Sequence, residues 1–324
     1  MNEFFPVPRI LVSRCLWFAT CRYDGQTLTD AFVEQLQLHA EMIPICPEVD
    51  CGLGVPRPPI RLCRAEGGIV VHQPATGKDL TAQLRSAAHG IIKALPQIDG
   101  AILKNKSPSC GLYDTKIYEG VDRPQVLTRS SGIFGGEILR VFAGQAIEDD
   151  LRLNDRSLRE HFLIKLFTLA RFREISARPE MGRLVDFHAT HKLLLLACNQ
   201  SRYRLAGRIA ANHPQFPAAE VFRLYREELC RILHAPLRIP AVINTLYHAL
   251  GWISEHLSAK EKQDVINSIE EYRDERLPLP AVTRLLEAHA LRLDHSYLHN
   301  QIFLRPYPLA LAHLTGSGRG PKIA

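Results

Sequence analysis

Three short apolar runs, residues 9–13, 42–45 and 101–103, each end ahead of a cysteine: Cys15, Cys46 and Cys110. Runs of this length bounded by turn residues read as strands of a buried sheet. Between the first two, Thr27-Leu28-Thr29-Asp30 has the Ser/Thr-x-x-Asp/Glu pattern of a helix start, and Phe32 and Leu36 follow at helical spacing. Between the second and third lies a hairpin, with 60–62 and 69–71 flanking Ala65-Glu66-Gly67-Gly68. A helix follows, its apolar positions including Leu80, Leu84, Ala88, Ile91, Ile92 and Leu95. Strand, helix, strand, helix, strand is the alternation of an α/β domain with a mainly parallel, Rossmann-like sheet. Ligands of such sheets bind beyond the carboxyl ends of the strands. The three cysteines are therefore expected to converge at one edge.

After about residue 150 the pattern turns helical throughout. Helical faces cover 161–175, 181–198 with a deeply buried run at 193–196, then 218–234, 241–256, 260–272 and 281–293. Ser258-x-x-Glu261 is a capping box, and Leu277-Pro278-Leu279-Pro280 punctuates the chain before the last helix. The segment 316–321 reads as a flexible tail, and there is no tandem repeat. The expected organisation is an α/β domain over 1–150 and an all-α domain over 151–324.

Nothing in the composition, 46% hydrophobic and 23% charged, departs from that of a globular protein. No run of eighteen apolar residues spans a membrane, and Met1 to Pro6 lacks the basic region and apolar core of a signal peptide. The expected compartment is the cytoplasm, where eight cysteines in 324 residues point to thiols, metal ligands or catalysis rather than disulfides. Residues 1–150 hold 15 Lys and Arg against 17 Asp and Glu, whereas 151–324 hold 25 against 17. A polyanion can sit against the second half, although solvated helix faces account for the same charge.

The chemistry concentrates at the cysteines. In Lys104-Asn105-Lys106-Ser107-Pro108-Ser109-Cys110-Gly111, Pro108 stiffens the loop and Gly111 lets the backbone turn away after the thiol. Three thiolates from separate loops suit a soft metal centre. An iron–sulfur cube takes one cysteine per iron, so three leave one iron open to a substrate. Cys15-x5-Cys21 with Cys46-x4-Cys51 is the competing arrangement, a four-thiolate structural zinc site. Cys63, Cys198 and Cys230 read as buried small hydrophobes.

Five motifs in order, Ser13-Arg14-Cys15-Leu16, Arg22-Tyr23-Asp24-Gly25, Cys46-Pro47-Glu48-Val49, Gly52-Leu53-Gly54-Val55-Pro56-Arg57 and Ser107-Pro108-Ser109-Cys110-Gly111, resemble the thiouracil desulfidase (TudS) family. Asp186-Phe187-His188 to Lys192-Leu193 and Ser201-Arg202-Tyr203-Arg204 resemble the YbgA-like helical domain. Chains that join the two domains resemble the RudS group, desulfidases that convert 4-thiouridine in tRNA to uridine. The resemblance implies a 4Fe-4S cluster on Cys15, Cys46 and Cys110 with one open iron, and catalytic roles for Glu48 and Ser107. Phe18 stands where single-domain members usually have glycine, and Cys21 replaces a usual apolar residue, which leaves the shape of the pocket open.

The implied reaction is consistent with elementary chemistry. A soft thiocarbonyl sulfur binds a Lewis-acidic iron, water adds to the ring carbon, and sulfur leaves as hydrosulfide with no net redox change. Glu48, two residues from a ligand, is placed to take the proton from water, and Ser107 to orient that water or relay the proton. Arg22, Arg57, Lys104 and Lys106 are candidates for contact with phosphate or base, with structural ion pairs as the alternative. Arg171, Arg173, Arg178, Arg183, Lys192, Arg202, Arg204 and Arg208 are the candidate phosphate-binding face of the helical domain. His188 and His191, near Asp186, suggest a metal, but helix packing or RNA stacking suits them better. The partner expected is tRNA containing 4-thiouridine, and no protein partner is evident. Two other readings stand: a desulfidase of free thiouracil or thionucleosides, and a non-catalytic RNA-binding protein with structural zinc.

Overall fold

The computed structural model describes residues 5–26, 28–121, 125–212 and 215–312. The segment 316–321, residues 1–4 and Thr27 of the Thr27–Asp30 helix start lie outside them. In chain order the first part forms β1 (Arg9–Ser13), α1 (Ala31–Leu36), β2 (Glu41–Ile45), α2 (Pro47–Asp50), β3 (Arg61–Ala65), β4 (Gly68–Gln73), β5 (Lys78–Asp79), α3 (Thr81–Ala94), β6 (Gly100–Leu103), β7 (Thr115–Tyr118), β8 (Val126–Ser130), α4 (Ile133–Val141) and β9 (Ala146–Asp149). A long helix, α5 (Arg156–Ser176), follows.

Four of these strands make a wholly parallel sheet in the order β2-β1-β6-β9. β1 is central, and its Ile10, Leu11 and Val12 are fully buried, which is why it reads as an unbroken apolar run. β2 lies at the edge, where Pro44 costs no ladder hydrogen bond. The chain steps from β1 outward to β2, then returns to the other side of β1 for β6. That reversal leaves a crevice at the carboxyl ends of β1 and β6, the usual ligand position in an open α/β sheet.

The hairpin does not extend this sheet. β3 and β4 belong to a second one, β5-β4-β3-β7-β8, which the sequence reading did not separate. Lys78 and Asp79 form its short β5, which leads into α3. α3 serves both layers: Ala88 packs with Leu11, Ala101 and Phe134, whereas Leu84, one turn earlier, packs with Leu62, Val71 and Ile117.

The second part consists of α6 (Met181–Thr190), α7 (Lys192–Cys198), α8 (Gln200–Ala211), α9 (Ala218–Ile232), α10 (Ile239–Ile253), α11 (Ala259–Arg273), α12 (Leu279–Arg292) and α13 (Ser296–His299). The 181–198 stretch breaks at His191, and α8 was not anticipated as a helix. Ser258 and Glu261 make the expected capping box. Chain contacts divide the protein into Met1–Ala170 with Ala310–Ala324, and Arg171–Leu309, so the boundary falls inside α5. No helix among the described residues is long and apolar enough to cross a membrane.

Candidate active site

β1, β2 and β6 end at a cavity of about 380 Å³ lined by Cys15, Cys46, Cys110, Glu48, Ser107 and Ser109, with Cys21 among them. All three expected cysteines therefore reach one cavity. Ser13 joins two of the strand ends, its Oγ accepting from the Lys104 N–H at 2.9 Å. Cys46 is the N-cap of α2 and Pro47 its first residue, a position where a missing N–H costs nothing. This single turn brings Glu48 back to the cavity, only 9% exposed.

The Cys110 loop is held from behind by α4. The first amides of a helix have no acceptor within it. Here Ile133 N donates to Pro108 O at 3.1 Å, and Phe134 N and Gly135 N both donate to Ser109 O at 2.9 and 3.0 Å. Gly132 N donates to Gly111 O at 2.8 Å. A Cβ on Gly132 would lie 2.5 Å from Ser109 O, and one on Gly135 would lie 2.2 Å from Gly111 O. Two glycines thus allow the helix end to press against the loop that carries the thiol and both hydroxyls.

Glu48 is bound on both sides. Its Oε2 accepts from Arg57 Nε at 3.0 Å and Nη2 at 2.7 Å, and its Oε1 accepts from Ser109 Oγ at 2.6 Å. Ser107 Oγ lies 3.0 Å from Ser109 Oγ and accepts from the Cys110 and Ser109 amides at 3.1 and 3.3 Å. Each hydroxyl has one proton. With that of Ser109 given to Glu48, Ser107 donates to Ser109, and the order is Ser107, Ser109, Glu48. Ser109, which the sequence reading passed over, is the middle of this chain. The alternation of the two serines around Pro108 was the only available signal.

Three of the cavity thiols, Cys21, Cys46 and Cys110, resist ionisation. Burial pushes Cys110 up to about 12. Cys46 is raised by its hydrogen bond with the Cys21 thiol and then by burial. Cys21 is pushed up to about 11, first by its hydrogen bond with Cys15. Such thiols become thiolates when a cation lies between them, and three soft donors from separate elements around one cavity fit an iron–sulfur cluster. Cys51 is placed differently. Its Sγ donates to Glu48 O at 3.2 Å, and it packs with Leu62, Val71 and Leu84 and is not among the residues that line the cavity. The zinc arrangement that requires Cys51 is not assembled, and no group of three His, Cys, Asp or Glu among the described residues is disposed to hold one metal ion.

The basic residues near the cavity are mostly engaged. Arg57 spends its remaining contacts on Cys21 O and Gly54 O, both at 3.1 Å, so it braces Glu48 and is not a free phosphate contact. Lys104 pairs with Asp150 and with Asn105 Oδ1. Arg22 pairs with Asp24 at 3.3 Å and lies over the Tyr23 ring. Lys106 is exposed at the cavity lining.

The candidate phosphate face also divides. Arg171 is directed inward, its Nη1 donating to Pro306 O at 2.8 Å and burial pulling it down to about 10. Arg202 pairs with the buried Glu228 at 2.9 Å, and Arg173 is half-buried. Arg183 is half-buried, and Arg178, Arg204 and Arg208 are exposed. Lys192 lies over Trp252. His191 is buried against Phe187, its Nδ1 donating to Phe187 O at 2.8 Å, and His188 pairs with Tyr225 Oη at 2.9 Å. Both histidines serve helix packing; Asp186 is exposed.

Fold and cavity together define an α/β protein with a thiol-rich site at the carboxyl edge of its parallel sheet. The chain belongs to the 2-thiouracil desulfurase family, whose pattern residues 10–150 match, and it carries a domain of the family DUF1722, of unknown function, over 192–308. It is similar to the uncharacterized protein YbgA of Escherichia coli (strain K12), 26% identical over 45% of this chain and 88% of that protein. It is also similar to the uncharacterized protein YbbK of Bacillus subtilis (strain 168), 29% identical over 45% of this chain and 98% of that protein. Among solved structures, the 4Fe-4S-dependent thiouracil desulfidase TudS is 31% identical over 45% of this chain and 93% of that one, with a TM-score of 0.37.

Proposed function

We propose that the protein is an iron–sulfur-dependent desulfidase that converts 4-thiouridine in tRNA to uridine and releases hydrosulfide. The observation that carries this reading is the meeting of Cys15, Cys46 and Cys110 in one cavity with Glu48 and its two serines. Those three cysteines would hold a 4Fe-4S cluster, which would supply Lewis acidity toward the thiocarbonyl.

The remaining steps belong to side chains. Water adds to the ring carbon as the C–S bond breaks, and oxygen replaces sulfur without a change in oxidation state. Glu48, held as a carboxylate acceptor by Arg57 and Ser109, takes the proton of that water through Ser107 and Ser109. Lys106, and Arg22 once released from Asp24, would meet the base or its phosphate, a reading supported by their place in the cavity lining. The basic excess of residues 151–324 and the exposed Arg178, Arg204 and Arg208 favour a polyanionic substrate.

Sulfide release tests the reading directly. The protein, prepared anaerobically, is given thiolated tRNA or free 4-thiouracil. The proposal expects much faster release from tRNA, declining steeply with salt. Equal or faster release from the free base would limit the activity to thiobases, the reading favoured by the name of the 31% identical desulfidase.

A further inference from the structure

The helical unit carries a second constellation of chemistry-bearing side chains. Lys192, the first residue of α7, places its Nζ 5.1 Å from the centroid of the Trp252 ring and 5.9 Å from that of Tyr297. The two rings lie 4.9 Å apart at 52°. Tyr203 stacks on His188 at 5.0 Å and 2°, and its phenol is raised by burial and, less, by Tyr297. His188 is itself fixed by Tyr225, and Gly207 leaves it room, since a Cβ there would lie 3.0 Å from its Nε2. Five elements, α6, α7, α8, α10 and α13, supply one residue each.

A packing role alone suits the layer beneath, where Phe172, Phe187 and Tyr225 are buried. It does not explain why Tyr203 and Trp252 are half-exposed and Tyr297 is 43% exposed. Aromatic faces accept flat rings or cations. Lys192 already holds the cation position over two of the rings, so like charge disfavours a cationic ligand. Arg204 follows Tyr203 directly and Arg208 comes a turn later; both are exposed with no acidic partner among the described residues. Residues 171–309 hold 19 Lys and Arg against 15 Asp and Glu. Flat ring and negative charge together describe a base on a phosphodiester chain.

We propose that Tyr203, Trp252 and Tyr297 form a stacking platform for an unpaired nucleobase of RNA, with Lys192 and Arg204 meeting the adjoining phosphates. This deepens the tRNA reading and rests on it for the partner, but it does not depend on the desulfuration chemistry.

Trp17 and Trp252 are the protein's two tryptophans, so full-length Trp17→Phe isolates the reporter at the platform. Trp252 fluorescence is followed while single-stranded oligouridylate or tRNA is added. Quenching that saturates with RNA is expected. Tyr203→Ala should weaken RNA binding by about 5- to 150-fold, the range for one lost base stack, and Tyr203→Phe by no more than about twofold. Sulfide release from free 4-thiouracil should be unchanged in both. RNA that binds without quenching Trp252, or binds Tyr203→Ala as tightly as wild type, overturns the proposal. Quenching that follows protein concentration rather than RNA makes the patch a contact between copies, and also overturns it. Quenching by tRNA without any sulfide release would sink the desulfidase reading and leave the platform standing.

Discussion

Ser109 Oγ donates to Glu48 Oε1 at 2.6 Å, and this contact joins the loop after β6 to the helical turn after β2. It links a carboxylate and a cysteine loop about sixty residues apart, with Arg57 closing the other side of the carboxylate. Glu48→Gln should therefore lower turnover by about 10²- to 10⁴-fold, the usual share of a general base, with iron content unchanged. Ser109→Ala should act in the same direction. Wild-type turnover in Glu48→Gln with the cluster intact would remove the base.

Gly135 faces the backbone of Gly111 with no space for a methyl group. Gly135→Ala should displace the Cys110 loop, cost about 1–3 kcal/mol as other overpacked sites do, and reduce iron loading. Gly90 in α3 meets nothing within 4 Å, and Gly90→Ala should stabilise by up to about 1 kcal/mol. Thermal unfolding and iron analysis of the two variants together check the clamp, which fails if Gly135→Ala loads iron normally.

Cys21 shares the cavity, yet the account needs only three thiolates. Cys110→Ala should bleach the brown iron–sulfur absorption, whereas Cys21→Ala and Cys51→Ala should retain it. Spectra of the purified variants decide the ligand set, and bleaching in Cys21→Ala would make it a fourth ligand.

His191 gives the helical unit an acid sensitivity. Its Nδ1 donates to Phe187 O, its buried Nε2 has no partner among the described residues, and burial pulls it down to about 3 from an ordinary 6.5. Below pH 6.5 the unfolded chain takes up a proton that the folded one refuses. Stability is thus fully present above that value and falls by about 1.4 kcal/mol per pH unit until pH approaches 3. His191→Gln should flatten the profile between pH 6 and 4 by one proton, as denaturant titrations would reveal; an unchanged slope would show that His191 is protonated in the fold.

The parallel sheet was legible because Ile10, Leu11 and Val12 are buried on both faces and leave no polar interruption. The second sheet was not, because β7 and β8 are short and β8 is exposed along its whole length, so neither has an apolar pattern. The convergence of Cys15, Cys46 and Cys110 followed from strand ends alone. The inward engagement of Arg57, Lys104 and Arg171 did not, since a sequence shows that a cation is present but not which carboxylate or carbonyl faces it. α4 escaped notice for a related reason: its glycines weaken a helical signal, and their purpose is apparent only once the Cys110 loop lies against them.

The central claim is that three thiolates hold a four-iron cluster with one iron open to the substrate's sulfur. Mössbauer spectra of anaerobically prepared, iron-57-labelled protein, taken before and after adding 4-thiouracil, test it most directly. The account predicts four irons per chain, one distinct from the others and alone altered by the thiobase. A protein with one zinc, or with four irons that the thiobase leaves unchanged, would contradict it.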